Sequence, residues 1–337
     1  FGGGTPSYLS ASQLRDLMTR LQEIIPWNHA DEVTFECEPG TLQEHKLVSL
    51  RDMGVTRLSL GIENFDYHIL EYNGRAHRTE EIYRAYEWAR NLGFNQINID
   101  LIAGMVGETW DNWKDCVKKT LELAPESVTI YQMELPYNTV FSKELKLVDQ
   151  EEPVSQDSIA DWPTKREWVN YAFDEMLKSG YVQSSAYTVV RAENKEKPFV
   201  DRDSLWHGAD MMGTGVASFG HLGGVHVQNL DTWESYVAKL DQNQVPLNRA
   251  LPTKKKERLI REMILQLKTG RLESSWFQKK FDTDILSEFK EGFQKLEQQG
   301  DMTLESGQIQ LTRQGLLQID RLLPTFFLPE HRSSRYT

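Results

Sequence analysis

Leu14, Leu17, Met18 and Leu21 recur with helical spacing directly after Ser10-Ala11-Ser12-Gln13, the sequence form of a capping box, so a helix is expected to start there. Val33 to Glu38 reads as a strand and is stopped by Pro39-Gly40. Thr41 to Glu44 has the form of a second capping box, opening a helix that ends at Gly54. The alternation then continues: strand over Val55 to Glu63, helix over Thr79 to Leu92 closed by Gly93, Ile-rich strand over Gln96 to Ala103, helix over Thr109 to Leu123, strand over Ser127 to Leu135. Strands separated by helices of this length must pair in parallel.

These strands are apolar on both faces near their starts, the pattern of a sheet covered on both sides. Glu36, Glu38, Glu63, Asp100 and Glu134 fall at or near strand ends. In a parallel sheet or barrel that edge is where ligands bind. A carboxylate there can equally cap the next helix. Residues 136–162 read as a loop, Lys165 to Leu177 as a helix, and Gln183 to Val190 as a further strand. Residues 208–224 are rich in glycine. From Thr253 the pattern changes to a helix through Leu259, Ile260, Met263, Ile264 and Leu267 and a second through Ile285, Leu286, Phe289, Phe293 and Leu296. A hairpin around Glu305 to Gln308 and a last helix over Thr312 to Leu323 follow, the order of a small winged-helix-like domain.

The 337 residues suffice for one large domain or two ordinary ones, and 39% apolar residues with 14 Phe and 9 Trp can fill a core. That composition excludes a wholly disordered chain. No apolar run approaches the roughly 20 residues of a membrane span, and no signal peptide is visible. A net charge of −12 argues against nucleic acid as a partner. Cys37 and Cys116 are the only cysteines, too few for a disulfide framework, and a reducing cytoplasm fits. Cys37 is expected to be a small buried strand residue and Cys116 a half-exposed helix position.

Gly2-Gly3-Gly4-Thr5-Pro6 is a loop whose amides can be aimed at an anion. It has neither the Walker spacing nor the dinucleotide fingerprint, and alone a turn is the simpler explanation. Residue 1 is Phe, and a triple glycine normally follows an element, so the chain is expected to be a fragment or processed piece whose first strand lies upstream.

In order along the chain stand Gly-Gly-Gly-Thr-Pro-Ser-Tyr-Leu, Thr34-Phe35-Glu36-Cys37-Glu38-Pro39-Gly40, Arg57 to Phe65 (RLSLGIENF), Gly74-Arg75-Ala76-His77 and Asn98 to Met105 (NIDLIAGM). Together they resemble the radical S-adenosylmethionine enzymes of the oxygen-independent coproporphyrinogen III oxidase family. Gly213 to Ser218, Gln228-Asn229 and Leu311 to Gly315 extend the resemblance over most of the chain. It implies an α/β fold, a partial (βα)6 radical SAM barrel with a C-terminal helical, winged-helix-like domain. The divisions are residues 1–190 for the barrel, lacking its first strand and cluster loop, 191–250 for a glycine-rich extension, and 251–330 for the C-terminal domain.

The resemblance also implies S-adenosylmethionine and a 4Fe–4S cluster as cofactors. The cluster's C-x3-C-x2-C motif is absent, so its ligands are expected upstream of this chain, and no metal ligand is assigned within it. By position Gly3, Gly4 and Thr5 meet the amino and carboxylate groups of S-adenosylmethionine, Glu36 its ribose or amino end, and Arg75 and Asp100 hold an adenosylmethionine, in the oxidase a second one. Glu63 stands where the family usually has glutamine, and a carboxylate there would repel a ligand carboxylate. The implied activity is oxidative decarboxylation of propionate side chains of a tetrapyrrole in porphyrin and haem biosynthesis, with an electron donor such as flavodoxin or ferredoxin and this chain inactive alone. A haem-binding chaperone of the same family and a methyltransferase on the same scaffold are the alternatives. Asp203 to Gly208 replaces the chaperones' His-Asn-x-x-Tyr-Trp stretch. His207, His221 and His226 could ligate haem iron or be ordinary loop histidines. Arg191, Lys195, Lys197 and Arg202 are candidate cations for an anionic porphyrinogen, or a solvated face.

Overall fold

The computed structural model describes residues 1–134, 159–194 and 199–332. Leu135, most of the loop expected over 136–162, and both Lys195 and Lys197 lie outside the described residues. The chain divides into two compact units between residues 198 and 199.

The first unit alternates as the sequence pattern predicts: α1 Ala11–Ile24, β1 Thr34–Cys37, α2 Glu44–Asp52, β2 Arg57–Glu63, α3 Tyr67–Tyr72, α4 Thr79–Asn91, β3 Ile97–Ala103, α5 Trp110–Leu123, β4 Ser127–Gln132, α6 Trp162–Lys178, β5 Tyr181–Gln183 and β6 Thr188–Arg191. The Ser10 capping box forms, with Ser10 Oγ accepting from the Gln13 N–H and the Gln13 side chain accepting from the Ser10 N–H. The box expected at Thr41 does not. Thr41 belongs to a short 3-10 turn and its hydroxyl donates to Glu38 O at 2.9 Å, so α2 begins only at Glu44.

The sheet order is β1-β2-β3-β4-β6-β5. Strands β1 to β4 are parallel, whereas β6 is antiparallel to both β4 and β5. The single strand expected over 183–190 is thus two strands joined by a tight turn, in which Ser185 Oγ accepts from the Tyr187 and Thr188 N–H groups. So short a connection joins only antiparallel neighbours. The described part of this unit is an open mixed sheet, without a closed barrel.

The two faces of the sheet differ, contrary to the expectation of strands apolar on both. Phe35, Cys37, Leu58, Leu60, Ile97, Ile99, Leu101, Val128, Ile130 and Val189 alternate onto one face and are all buried. Burying one such Leu or Ile contributes about 1.5–3 kcal/mol. Helical side chains supply the rest of this core, among them Leu14, Met18, Leu47, Leu50, Ile82, Ala85, Trp113 and Val117. The other face is polar. Register places Glu36 beside Ser59, Ser59 beside Asn98, Gly61 beside Asp100, Asp100 beside Thr129 and Thr129 beside Thr188.

The second unit contains α7 Val200–Trp206, an antiparallel sheet of β7 Phe219–Leu222, β8 Val225–Asn229 and β9 Leu247–Pro252, with α8 Trp233–Asp241, then α9 Lys255–Leu267. The glycine-rich segment therefore runs into a regular hairpin, because paired glycines at 223 and 224, both with positive φ, form its turn. Beyond α9, β10 Arg271–Glu273, β11 Met302–Glu305 and β12 Gln308–Leu311 make a small sheet in the order β10-β12-β11, with helices around it, as a winged-helix-like domain requires. The helix expected through 285–296 is two pieces, Ile285–Glu288 and Lys290–Gln298, and the last one also breaks, at Gln318.

Candidate active site

The polar face of the first unit's sheet carries the site. Phe1 lies parallel to β1. Its amino group donates to Thr34 O at 2.7 Å, the Glu36 N–H donates to Phe1 O at 3.0 Å, and its ring packs on Phe35. The chain then passes over Glu36. A Cβ on Gly2 would lie 2.6 Å from that carboxylate, so a larger residue there would push the Glu36 side chain aside. The Gly3 N–H donates to Glu36 Oε2 at 3.2 Å, and Gly3 and Gly4 have φ of +80° and +136°, which other residues rarely adopt. Thr5 ends the loop, its carbonyl accepting from the Tyr8 N–H. Ser7 Oγ accepts from the Glu38 N–H and shares a hydrogen with Thr41 Oγ1. Lys46 clamps the assembly by donating to Ser7 O and Thr41 O, both at 2.9 Å.

At the end of β2, Glu63 sits at a bulge with φ +65°, a conformation costly for a side chain with a Cβ. Its Oε1 pairs with Arg75 Nη2 at 3.1 Å. Burial raises the Glu63 carboxyl above its ordinary value, against the opposing pull of Arg75 and His77. His77 is fully buried between Glu38 Oε1 at 2.9 Å and Ile62 O at 3.0 Å. Each ring nitrogen thus faces one acceptor oxygen. Burial pulls Glu38 up, but the His77 hydrogen bond and charge more than reverse this and hold its carboxyl below the usual range.

Asp100 lies in the middle of β3, not at its end. Its Oδ2 accepts from Ser59 Oγ and its Oδ1 from Asn98 Nδ2, each at 2.8 Å. Asn98 also donates to Ser59 and accepts from Thr129, whose hydroxyl lies 3.3 Å from that of Thr188. Burial, helped by the charges of Glu63 and Glu36, pushes Asp100 up to about 7, although the Ser59 and Asn98 hydrogen bonds oppose the shift. A carboxyl poised there can gain or lose its proton near neutrality, and a cationic or hydroxyl-bearing ligand would favour its ionised form.

The residues predicted from sequence thus fall into two contacts, Gly3 with Glu36 and Glu63 with Arg75, with Asp100 in the field of both glutamates. The structure gives Gly4 and Thr5 no side-chain contact with these groups among the described residues. Ser59, Asn98, Thr129 and Thr188 were missed. Their signal was the period-two placement of polar residues, Ser59 with Gly61, Asn98 with Asp100, and Ser127 with Thr129. Glu108 was also missed. It accepts from the Gly104 and Met105 N–H groups and from Asn64, ties the turn after β3, and burial pushes it up to about 8. Arg191 and Arg202 are committed within the fold, Arg191 to Pro125 O, Ala124 O and Glu193, and Arg202 to Asp203.

A profile of the radical SAM superfamily matches residues 1–120. The heme chaperone HemW of Lactococcus lactis subsp. lactis (strain IL1403) is 32% identical over 297 residues, 88% of this chain and 73% of that protein. The chain belongs to the radical S-adenosylmethionine family that includes HemW and the oxygen-independent coproporphyrinogen III oxidases. Among other members, the oxygen-independent coproporphyrinogen III oxidase of Escherichia coli (strain K12) is 26% identical over 341 residues, covering 97% of this chain and 72% of that protein. The solved structure of coproporphyrinogen III oxidase (HemN) from Escherichia coli, described as a radical SAM enzyme, superposes with a TM-score of 0.82 at 25% identity, over 96% of this chain and 76% of that one.

The family implies S-adenosylmethionine and a 4Fe–4S cluster. The polar face fits the first, since it offers amide, carboxylate and hydroxyl groups on adjacent strands. The cysteines of this chain do not fit the second. Cys37 lies in the apolar core, and burial raises its thiol far above the ordinary range. Cys116 is fully buried, not half-exposed. Its Sγ donates to Asn64 Oδ1 at 3.1 Å and accepts from the Phe65 N–H, and burial raises its thiol likewise. Among the described residues no group of three or more His, Cys, Asp or Glu could hold a metal ion. No described helix is long and apolar enough to cross a membrane.

Proposed function

We propose that this chain binds S-adenosylmethionine on the polar face of its sheet and serves a radical SAM oxidoreductase acting on a tetrapyrrole, by oxidative decarboxylation of propionate side chains. The carrying observation is Asp100, a carboxyl held between Ser59 and Asn98 and poised near neutrality. In this reading Gly3 and Glu36 receive the amino end of the ligand, Gly4 and Thr5 border it, and Asp100 accepts from ribose hydroxyls or the ammonium. S-adenosylmethionine, when bound, supplies the group that takes a hydrogen from the substrate. The protein's part is to orient it and exclude water. No step is assigned to a cluster, because Cys37 and Cys116 cannot ligate one where they lie. A cytoplasmic setting and a flavodoxin- or ferredoxin-type electron donor complete the proposal.

The Glu63–Arg75 pair supports a second reading, a haem chaperone. Arg75 is already paired with a carboxylate of its own chain and is not free to receive that of a further adenosylmethionine. One equivalent of S-adenosylmethionine rather than two is then expected, rising to two in Glu63→Gln.

Equilibrium dialysis with S-adenosylmethionine tests the common part. Asp100→Ala should weaken binding roughly 10–150-fold, the loss of a charge-assisted hydrogen bond. Unchanged affinity with retained fold would remove Asp100 from the site. Absorbance on haem addition to this chain tests the chaperone reading, and product mass after incubation with coproporphyrinogen III, in a chain supplied with the cluster-binding C-x3-C-x2-C segment, tests the oxidase.

A further inference from the structure

The second unit carries a group of side chains that the proposed function does not use. His221 and His226 are cross-strand partners in the β7–β8 hairpin, with Nδ1 atoms 3.1 Å apart and ring centroids 4.4 Å apart. At that distance the two nitrogens share one proton. His221 is only 6% exposed. Helix α9 contributes two cations. Arg258 lies over the hairpin turn, where a Cβ on Gly224 would come within 2.9 Å of its Nη1. Arg261, three residues on and therefore on the same helix face, acts electrostatically on both histidines. Arg261 is half-buried and has neither a hydrogen-bond acceptor nor an ion-pair partner for its side chain among the described residues. The neighbouring carboxylate, Glu262, is taken up by Lys280, Trp276 and Gln266.

Two carboxylates also act on the pair, Asp210 on His221 and Glu257 on His226, and each accepts one backbone N–H, from Gly223 at 2.9 Å and from Lys254 at 2.6 Å. The Nδ1 spacing would suit a metal chelate, but two guanidinium groups oppose a cation there. An anion meets the opposite situation. A half-buried guanidinium without an acceptor offers two parallel N–H donors to a carboxylate, and the histidine pair can add a third by taking up a proton.

We propose that Arg261, Arg258, His221 and His226 form a carboxylate-binding site, with Arg261 supplying the fork and the histidine pair a proton-dependent donor. The site is independent of S-adenosylmethionine binding in the first unit. Its carboxylate comes from a small free acid or from the propionate of a tetrapyrrole.

The test follows the imidazole signals of the full chain by 1H–15N NMR through a pH titration, with acetate, coproporphyrin III or coproporphyrin III tetramethyl ester. An anion binds the charged form of the pair better, so it should raise the titration midpoint. Burial first, and Arg261 second, now depress both histidines, which leaves room for that rise. Arg261→Gln should abolish the effect and weaken binding about tenfold or more. Arg261→Lys, which keeps the charge and loses the fork, should retain part of it, and this separates a lost donor from a lost fold. A response to acetate as well as coproporphyrin III assigns a free carboxylate. A response to coproporphyrin III alone, absent with its ester, assigns a propionate. The proposal is overturned if neither carboxylate moves the midpoint, if Arg261→Gln responds as the wild type does, or if Zn2+ shifts the signals where carboxylates do not.

Discussion

Replacing Asp100 by asparagine removes the charge from the polar face while keeping its shape. The magnitude follows from the position of the carboxyl, pushed from its ordinary 3.8 to about 7. In the unfolded chain Asp100 loses its proton near pH 4, whereas in the fold it keeps it to about neutrality. Between those limits the native state holds the extra proton, so stability is fully present below pH 4 and is lost as pH rises through 7. Roughly three pH units at about 1.4 kcal/mol each set an upper limit of about 4 kcal/mol for that loss. Asparagine matches the protonated carboxyl: its oxygen can accept from Asn98 and its amide can donate to Ser59 Oγ, where the carboxyl hydroxyl did, so little is lost at acid pH. Urea unfolding of both proteins from pH 4.5 to 8.5 should therefore show similar stabilities at acid pH and Asp100→Asn becoming the more stable, by up to about 4 kcal/mol, as pH rises through neutrality. Glu108 also titrates upward, but alike in both proteins, and cancels in the difference; Glu63, which shares the field of Asp100, adds to the divergence rather than cancelling. Parallel curves across the whole range would refute the displaced carboxyl and with it the proposed role of Asp100.

Other expectations are equally direct. Glu38→Gln should lower stability at pH 7 by about 1–3 kcal/mol through loss of the charged acceptor of buried His77, and the deficit should shrink as acid protonates Glu38 in the wild type. Gly104→Ala should destabilise by about 2 kcal/mol or more in thermal melts, because φ is +90° and the new Cβ would sit 2.6 Å from the Lys165 side chain. Ile99→Ala, in the apolar core, should cost about 2–5 kcal/mol yet leave S-adenosylmethionine binding by the folded fraction unchanged in dialysis.

The strand and helix order of the first unit was legible because each helix closes on a glycine or opens on a cap and each parallel strand is a short apolar run. What was lost lies inside those runs. In Ile97-Asn98-Ile99-Asp100-Leu101-Ile102 the apolar residues are numerous enough to mask the alternation that turns Asn98 and Asp100 to one face. The pattern accordingly puts Asp100 at a strand end, where an acid would be conspicuous, rather than in the row formed with Ser59, Thr129 and Thr188. Thr41 satisfies the local rule for a cap, but its hydroxyl donates to Glu38 O, three residues back, and meets Ser7, a tertiary contact invisible in a window of four residues. Cys116 looks half-exposed for the same reason, since the cover over α5 comes from Asn64 and Phe65, about fifty residues earlier. The hairpin at 183–190 reads as one strand because its turn, Ser184 to Tyr187, contains no glycine or proline.

The unequal faces of the sheet bear on how such a chain can diverge. A substitution at Leu60 or Ile99 is judged by folding and is removed whatever its effect on chemistry. One at Glu36, which is exposed, is judged almost solely by what the protein does, because little burial depends on it. Inheritance is therefore conservative on one surface and permissive on the other, separated by the thickness of one backbone layer. A lineage can keep its architecture while its reactive face drifts.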